Sequence, residues 1–87
     1  MYRIVYTKNA AKQIPNLKAA RLDERAKRLI AILEKDPYQN PPPYEKLVGD
    51  LSGACSRRIN VKHRLVYQVL EAESVVKIIS IWTHYEH

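Results

Sequence analysis

Residues 54–83 read ACSRRINVKHRLVYQVLEAESVVKIISIWT and contain three runs that favour β-strands. Residues 55–59, 64–70 and 75–83 are rich in β-branched, aromatic and other strand-forming residues, whereas residues 60–62 and 71–74 are mostly polar. Connections this short join antiparallel neighbours, so the stretch predicts two successive hairpins. The later two runs do not alternate cleanly between apolar and polar residues. That pattern indicates a sheet covered by helices on one face and partly covered on the other.

The sequence before this stretch predicts a short strand and a short helix. Ile4 and Val5, flanked by tyrosines, form the strand-like run. Thr7 is a good N-cap for a helix over residues 8–14, in which alanines and an isoleucine share one face. Pro15 lacks a backbone N–H and is therefore expected to end this first helix.

A longer second helix is predicted over residues 17–35, because apolar residues recur there at intervals of three and four positions. The prolines that follow favour one ordered loop over residues 36–50, since their fixed backbone angles and missing donors exclude a helix or an interior strand. The expected fold class is therefore α+β. It consists of a small antiparallel-dominated sheet packed against two N-terminal helices, in a single domain of residues 1–87.

Composition narrows the class of partner. The chain has 87 residues, 46% of them hydrophobic, which is enough for one modest core. Fifteen lysines and arginines against nine acids give a formal net charge of +6, so the surface should attract nucleic acid or an acidic protein more readily than a membrane. No apolar run is long enough to span a bilayer, and the residues after Met1 do not resemble a secretion leader. Cys55 is the single cysteine, so the chain can form no internal disulfide and a reducing compartment is the simpler assumption. A cytoplasmic protein is expected.

The second half of the chain carries an unusual set of polar residues, namely Glu45, the SRRI run at 56–59, the HRLVY run at 63–67 and the pair His84-Tyr85. With a turn over residues 60–62, Arg58 should lie opposite Arg64, and two like charges there are unfavourable without an anion between them. The second hairpin would return His84 to a position beside the same arginines. The pattern therefore predicts a phosphate-binding site at this end of the sheet.

RNA is the phosphodiester that best suits this set, because it supplies its own nucleophile in the 2′-hydroxyl. Glu45 can accept the hydroxyl proton, Arg64 can offer a planar guanidinium to the developing negative charge, and His84 can protonate the leaving oxygen. This reaction requires no metal or other cofactor and yields 2′,3′-cyclic phosphate and 5′-hydroxyl ends. The arginines disfavour a protonated imidazole, so His84 is expected to act as an acid once a bound phosphate offsets their field.

The LSG run at 51–53, followed by SRRI, HRLVY and the terminal His-Tyr, resembles the Txe/YoeB group of bacterial toxin-antitoxin ribonucleases in the RelE-like superfamily. The similarity extends over nearly the whole chain. It implies a compact sheet with two N-terminal helices, and an enzyme that cuts messenger RNA in the decoding site of the ribosome and is restrained by a cognate antitoxin. It also implies a role for each site residue, with Glu45 as general base, Arg64 as transition-state arginine, His84 as general acid, Arg58 as phosphate contact and Tyr85 as substrate-positioning aromatic.

Three of these side chains, and that of the neighbouring Arg57, have plainer interpretations. Glu45 is also compatible with a solvated loop carboxylate. Arg64 is compatible with a surface ion pair to Glu71 or Glu73. Arg57 and Arg58 are both compatible with exposed strand charges that discourage extension of the sheet, and this interpretation is adopted for Arg57. These alternatives differ in what the side chains should contact.

The terminal residues also allow more than one interpretation. Tyr85 can stack on a base or pack at the edge of the sheet, and both suit an aromatic side chain. His84, Glu86 and His87 resemble a metal site only weakly, so we predict no metal.

The expected partners are messenger RNA in the ribosomal decoding site, and ribosomal RNA, to which the lysines in excess over acidic residues would bind. A cognate acidic antitoxin is also expected, with a segment that folds as it covers the basic cleft. A homodimer is left open, and no membrane partner is expected. Two alternative functions are a catalytically silent basic RNA- or protein-binding module on the same scaffold and a ribonuclease that acts without the ribosome.

Overall fold

The computed structural model describes residues 1–49 and 53–84, and the side chains of all of these except Thr83 and His84. The elements run in the order β1 (Arg3–Tyr6), α1 (Lys8–Ala19), α2 (Asp23–Lys35), β2 (Tyr44–Lys46), β3 (Ala54–Arg58), β4 (His63–Leu70) and β5 (Val75–His84). Within the described residues the strands form one sheet in the order β1-β5-β4-β3-β2. Only the β1–β5 pair among them is parallel, which confirms the predicted antiparallel-dominated sheet.

The two helices pack on one face of this sheet and enclose the core. Helix residues Leu17 and Leu33 are buried there together with Tyr67, Val76 and Ile78 of the central strands. Burial of such side chains contributes about 1.5–3 kcal/mol each, which is the main term that holds the helices on the sheet. Neither helix within the described part of the chain is long and apolar enough to cross a membrane.

The boundary between the two helices differs from the prediction. The side chain of Thr7 accepts a hydrogen bond from the backbone N–H of Ala10, as expected of an N-cap, but α1 continues through Pro15 to Ala19. Pro15 removes one helical hydrogen bond, and the buried side chain of Leu17 on the following turn compensates by packing in the core. The predicted end at residue 14 and the predicted second helix from residue 17 are therefore wrong.

Helix α1 is terminated by a left-handed residue, Arg21, which lies two positions after Ala19 and has a φ of +59°. The backbone N–H of Arg21 donates to the carbonyl of Lys18 at 3.1 Å, and that of Leu22 donates to the carbonyl of Leu17 at 2.9 Å. This pair of bonds is the Schellman motif, in which glycine usually occupies the left-handed position because it has no Cβ to clash with the backbone.

We therefore expect Arg21→Gly to stabilise the protein by roughly 0.5–1 kcal/mol, since relief of the left-handed strain exceeds the entropy that glycine adds to the unfolded chain. The midpoint of urea unfolding measures this change. Arg28→Gly is the matched control. Arg28 is solvent-exposed and lies in the middle of α2, so glycine at this position should lower the free energy of unfolding by about 1 kcal/mol. Equal destabilisation by the two glycines would contradict the expectation.

The predicted loop over residues 36–50 contains an additional strand. Residues 44–46 form β2 at the edge of the sheet, where Tyr44 pairs with Arg57 and Glu45 with Ser56 of β3. The ring of Tyr44 lies 4.8 Å from the guanidinium carbon of Arg57, a cation–π contact that helps to hold this short strand on the sheet. Glu45 therefore sits on a strand rather than in a loop.

Arg57 is completely buried, so its interpretation as an exposed strand charge is wrong. Its Nε donates to the hydroxyl of Tyr67 at 3.0 Å, Nη1 donates to the carbonyl of Pro42 at 2.6 Å, and Nη2 donates to the carbonyls of Pro37 and Gln39 at 3.0 and 2.9 Å. Burial raises the pKa of Tyr67 to about 12, and its neutral hydroxyl in turn donates to the Pro37 carbonyl. One guanidinium thus anchors the proline-rich segment that leads into β2.

Candidate functional site

Strands β2, β3 and β4 bring Glu45, Arg58 and Arg64 to the sheet face opposite Arg57. The register pairs Glu45 with Ser56 and Arg58 with Arg64. The second of these pairs confirms the predicted opposition of two arginines. Around them lies a cleft of about 230 Å³, lined by Pro43, Tyr44, Glu45, Arg58 and Arg64.

Arg64 is held in a defined orientation within this cleft. Its side chain is only 9% exposed. Nη1 donates to the hydroxyl of Ser56 at 3.1 Å, and Nη2 donates to Oε1 of Glu45 at 3.2 Å. Because both terminal nitrogens are held, the planar guanidinium is oriented toward the cleft before any ligand binds.

The ion pair of Arg64 with Glu45 replaces the surface pair that the sequence also allowed. Glu71 instead accepts hydrogen bonds from the hydroxyls of Tyr2 and Tyr38. Hydrogen bonding to this carboxylate raises the pKa of Tyr2 and of Tyr38, so both hydroxyls remain donors. Arg64 therefore pairs with Glu45 in the cleft and not with Glu71.

Glu45 is the accessible member of the pair, with 58% of its side chain exposed. Because the Glu45 carboxylate is largely solvated, an incoming anion can replace it at Arg64 and keep the buried guanidinium compensated. Arg58 is exposed at the rim of the same cleft. The site thus combines a reachable carboxylate, a buried guanidinium and an exposed guanidinium, which together suit a phosphodiester with an adjacent hydroxyl.

The last strand brings the backbone of His84 to the same end of the sheet. His84 pairs with His63, and Thr83 pairs with Arg64, so β5 returns to this end of the sheet as the second hairpin predicted. The ring of His63 stacks on that of Trp82 with centroids 3.7 Å apart and an interplanar angle of 14°. The role of the His84 imidazole remains a prediction, because the description of this residue is limited to its backbone.

Three other sequence predictions fall outside the described residues. These are the substrate-stacking role of Tyr85, the weak metal-site resemblance that involves Glu86 and His87, and the Leu51-Ser52 part of the motif. They remain predictions.

A second cleft, of about 350 Å³, lies where the proline-rich segment meets β2 and β3. Its described lining comprises Tyr38, Lys46, Leu47, Gly53, Ala54, Cys55 and Val69. This lining holds one cation and no carboxylate among those residues, so it offers no pair of groups for acid and base chemistry. The smaller cleft around Arg64 is therefore the candidate site.

Sequence reasoning missed Ser56, which accepts a hydrogen bond from Arg64 and is 1% exposed. The signal was present in the strand periodicity, because alternate residues of β3 share a face and Ser56 must therefore accompany Arg58. It also assigned Arg57 to solvent, although the same alternation requires Arg57 to face opposite Arg58.

Residues 16–85 match the family model described as the YoeB-like toxin of bacterial type II toxin-antitoxin systems. A curated relative, Toxin YoeB of Streptomyces coelicolor, is 43% identical over 56 residues, which are 64% of this chain and 67% of the relative.

The fold matches solved structures of similar proteins. A YoeB/ParE toxin from Agrobacterium tumefaciens superposes with a TM-score of 0.85 at 29% identity, over 95% of this chain and 99% of that one. A heterotetrameric YoeB–YefM toxin-antitoxin complex from Staphylococcus aureus contains a chain that matches with a TM-score of 0.80 at 27% identity, over 98% and 99% of the two chains. A YoeB from Staphylococcus aureus has also been solved as a dimer.

Proposed function

This chain belongs to the family of YoeB-like toxins of bacterial type II toxin-antitoxin systems, and from that premise we propose that it is an endoribonuclease that cleaves messenger RNA in the decoding site of the ribosome. The observation that carries the proposal is the cleft in which Oε1 of the accessible Glu45 lies 3.2 Å from Nη2 of the buried Arg64. Arg58 faces Arg64 across the strand pair. A phosphodiester between them relieves the repulsion of the two guanidinium groups.

The proposed reaction transfers two protons and exchanges one bond to phosphorus. Glu45 takes the proton of the 2′-hydroxyl as this oxygen attacks the adjacent phosphorus. Arg64 and Arg58 balance the negative charge of the crowded phosphorane. His84 delivers a proton to the 5′-oxygen as the bond between phosphorus and that oxygen breaks. The products carry a 2′,3′-cyclic phosphate and a 5′-hydroxyl.

The proposed roles depend on different degrees of exposure. Glu45 must reach the ribose, and its half-exposed side chain allows this. Arg64 must stay oriented while the charge moves, and its bond to the buried Ser56 hydroxyl persists when the carboxylate leaves. The transition state therefore meets a guanidinium that needs little reorganisation.

An antitoxin partner is proposed for this chain by analogy with the YoeB–YefM complex. The formal net charge of +6 favours an acidic antitoxin segment that covers the basic cleft and folds as it binds. Self-association into a dimer, as in the Staphylococcus aureus structure, is the second protein contact to test, by sizing at several concentrations. A cytoplasmic location follows from a ribosomal target.

The test of the function is cleavage of one messenger RNA, free or on programmed ribosomes, by the purified chain. We expect cuts only on the ribosome-bound RNA, with 5′ ends that a kinase labels without prior phosphatase treatment and 3′ ends that resist ligation until the cyclic phosphate is opened and the resulting phosphate is removed. Products with 3′-hydroxyl ends would contradict the proposed mechanism. Equal cleavage of free RNA would favour a ribosome-independent ribonuclease, and binding without cleavage would favour the silent module.

A further inference from the structure

The strand that carries His84 departs from regular pairing just before it reaches the site. From Leu70↔Val75 to Tyr67↔Ile78 the β4–β5 ladder is regular. Val66 then pairs with Ser80, and Arg64 pairs with Thr83. Strand β5 therefore contains two bulges, each of which inserts one extra residue on β5 relative to β4.

These bulges decide which residues of β5 pair with His63 and Arg64 at the end of the sheet. A ladder continued without them from the Tyr67↔Ile78 pair would set Trp82 opposite His63, and His84 opposite Val61 in the turn between β3 and β4. With them, His84 lies opposite His63 and next to the Arg64↔Thr83 pair. Two residues of strand correspond to roughly 7 Å along the chain, which is more than the width of a phosphate group.

Side chains from the N-terminal part of α1 hold the bulged backbone. Oε1 of Gln13 accepts hydrogen bonds from the backbone N–H groups of Ile81 and Trp82 at 2.8 and 3.1 Å, and from the Ser80 hydroxyl at 3.1 Å. Oγ1 of Thr7 donates to the carbonyl of Ile79 at 3.0 Å. Backbone groups at a bulge are displaced from the ladder and need other partners, and α1 supplies them.

We propose that Gln13 is a positioning residue, whose side-chain carbonyl fixes the second bulge of β5 and so sets the backbone position of His84 next to the Arg64↔Thr83 pair. The inference rests on the proposed function, because it assigns Gln13 a role through the proposed general acid. Without the carbonyl, two backbone N–H groups in a partly buried place lose an acceptor. The strand can recover partners by returning toward regular register, which moves His84 away from Arg64.

Two variants of similar length separate the acceptor from the shape of the side chain. Gln13→Met removes the acceptor, whereas Gln13→Glu keeps oxygen atoms that accept from the same N–H groups. We expect Gln13→Met to lower the single-turnover rate of cleavage on ribosomes by about 10²-fold, with little change in ribosome affinity, since an error of about 1 Å in placement costs that much. Gln13→Glu should restore most of the rate. If Gln13→Met is unfolded, Gln13→Asn takes its place, because it keeps the amide but withdraws the oxygen by one methylene.

A double-mutant cycle with His84→Gln distinguishes positioning from general loss of structure. If Gln13 acts through His84, Gln13→Met should not slow the His84→Gln enzyme further, whereas a purely structural defect would lower both rates by the same factor. Amide hydrogen exchange should also accelerate at Ile81 and Trp82 in Gln13→Met.

The possible failures are distinguishable. A wild-type rate in Gln13→Met, with His84→Gln inactive, would overturn the positioning role and leave the proposed function intact. Full activity of His84→Gln would overturn both. If Gln13→Met lowers the cleavage rate by the same factor in the wild-type and His84→Gln backgrounds, Gln13 has only a structural role.

Discussion

Replacing Glu45 by glutamine is expected to reduce cleavage of ribosome-bound messenger RNA by about 10²–10⁴-fold, because the amide keeps the shape of the side chain but cannot take the proton of the 2′-hydroxyl. His84→Gln should cause a loss of the same order by removing the proton donor. Single-turnover cleavage measures both, and growth arrest on expression provides a cellular readout that each variant should abolish.

Glu71→Gln is the matched control for Glu45→Gln. Glu71 is also a hydrogen-bonded carboxylate, but it follows the end of β4 that is remote from Arg64 and binds two tyrosine hydroxyls. Its cleavage rate should stay at the wild-type value. Retention of full toxicity by both Glu45→Gln and His84→Gln would refute the assigned roles. Loss of activity in Glu71→Gln alone would indicate that the catalytic site lies at the opposite end of the sheet.

The second large effect concerns two adjacent arginines with opposite environments. Arg57→Met should destabilise the fold by about 3–5 kcal/mol, because it removes a fully buried guanidinium together with its hydrogen bonds to the Tyr67 hydroxyl and to the carbonyls of Pro37, Gln39 and Pro42. Arg58→Met should change stability by no more than about 0.5 kcal/mol, since Arg58 is exposed. Urea unfolding of the two variants measures this contrast.

The two variants should show the reverse order in function per folded molecule. Arg58→Met removes a charged partner of the phosphate and is expected to lower cleavage by about 10–100-fold, with a weaker dependence of ribosome binding on salt. Arg57→Lys tests the geometry of the anchor, because an ammonium retains the charge but not the planar fork that serves several carbonyls at once. It should recover only part of the lost stability. Equal stability of the Arg57 and Arg58 methionine variants would show that burial of Arg57 contributes nothing.

The Arg57–Arg58 pair also shows the limit of interpreting side chains by type. A charged residue on a strand near the surface is ordinarily solvated, and this expectation failed for Arg57 because three carbonyl groups 15–20 residues earlier in the chain converge on it. Period-of-two alternation indicates that adjacent arginines face opposite ways. It does not indicate which of them faces inward.

The sequence by itself determined the α+β class, the N-cap at Thr7, the two hairpins and, through the short turn at residues 60–62, the opposition of Arg58 and Arg64. These features depend on local periodicity and short connections, which each segment carries within itself. Tertiary structure decided that α1 continues through Pro15, that Glu45 lies on an edge strand and that Gln13 holds the bulges of β5. The hydrogen bonds from Ser80, Ile81 and Trp82 to Gln13 join residues 67–69 positions apart. These hydrogen bonds form only after distant segments have packed together, so no local pattern along the chain indicates them.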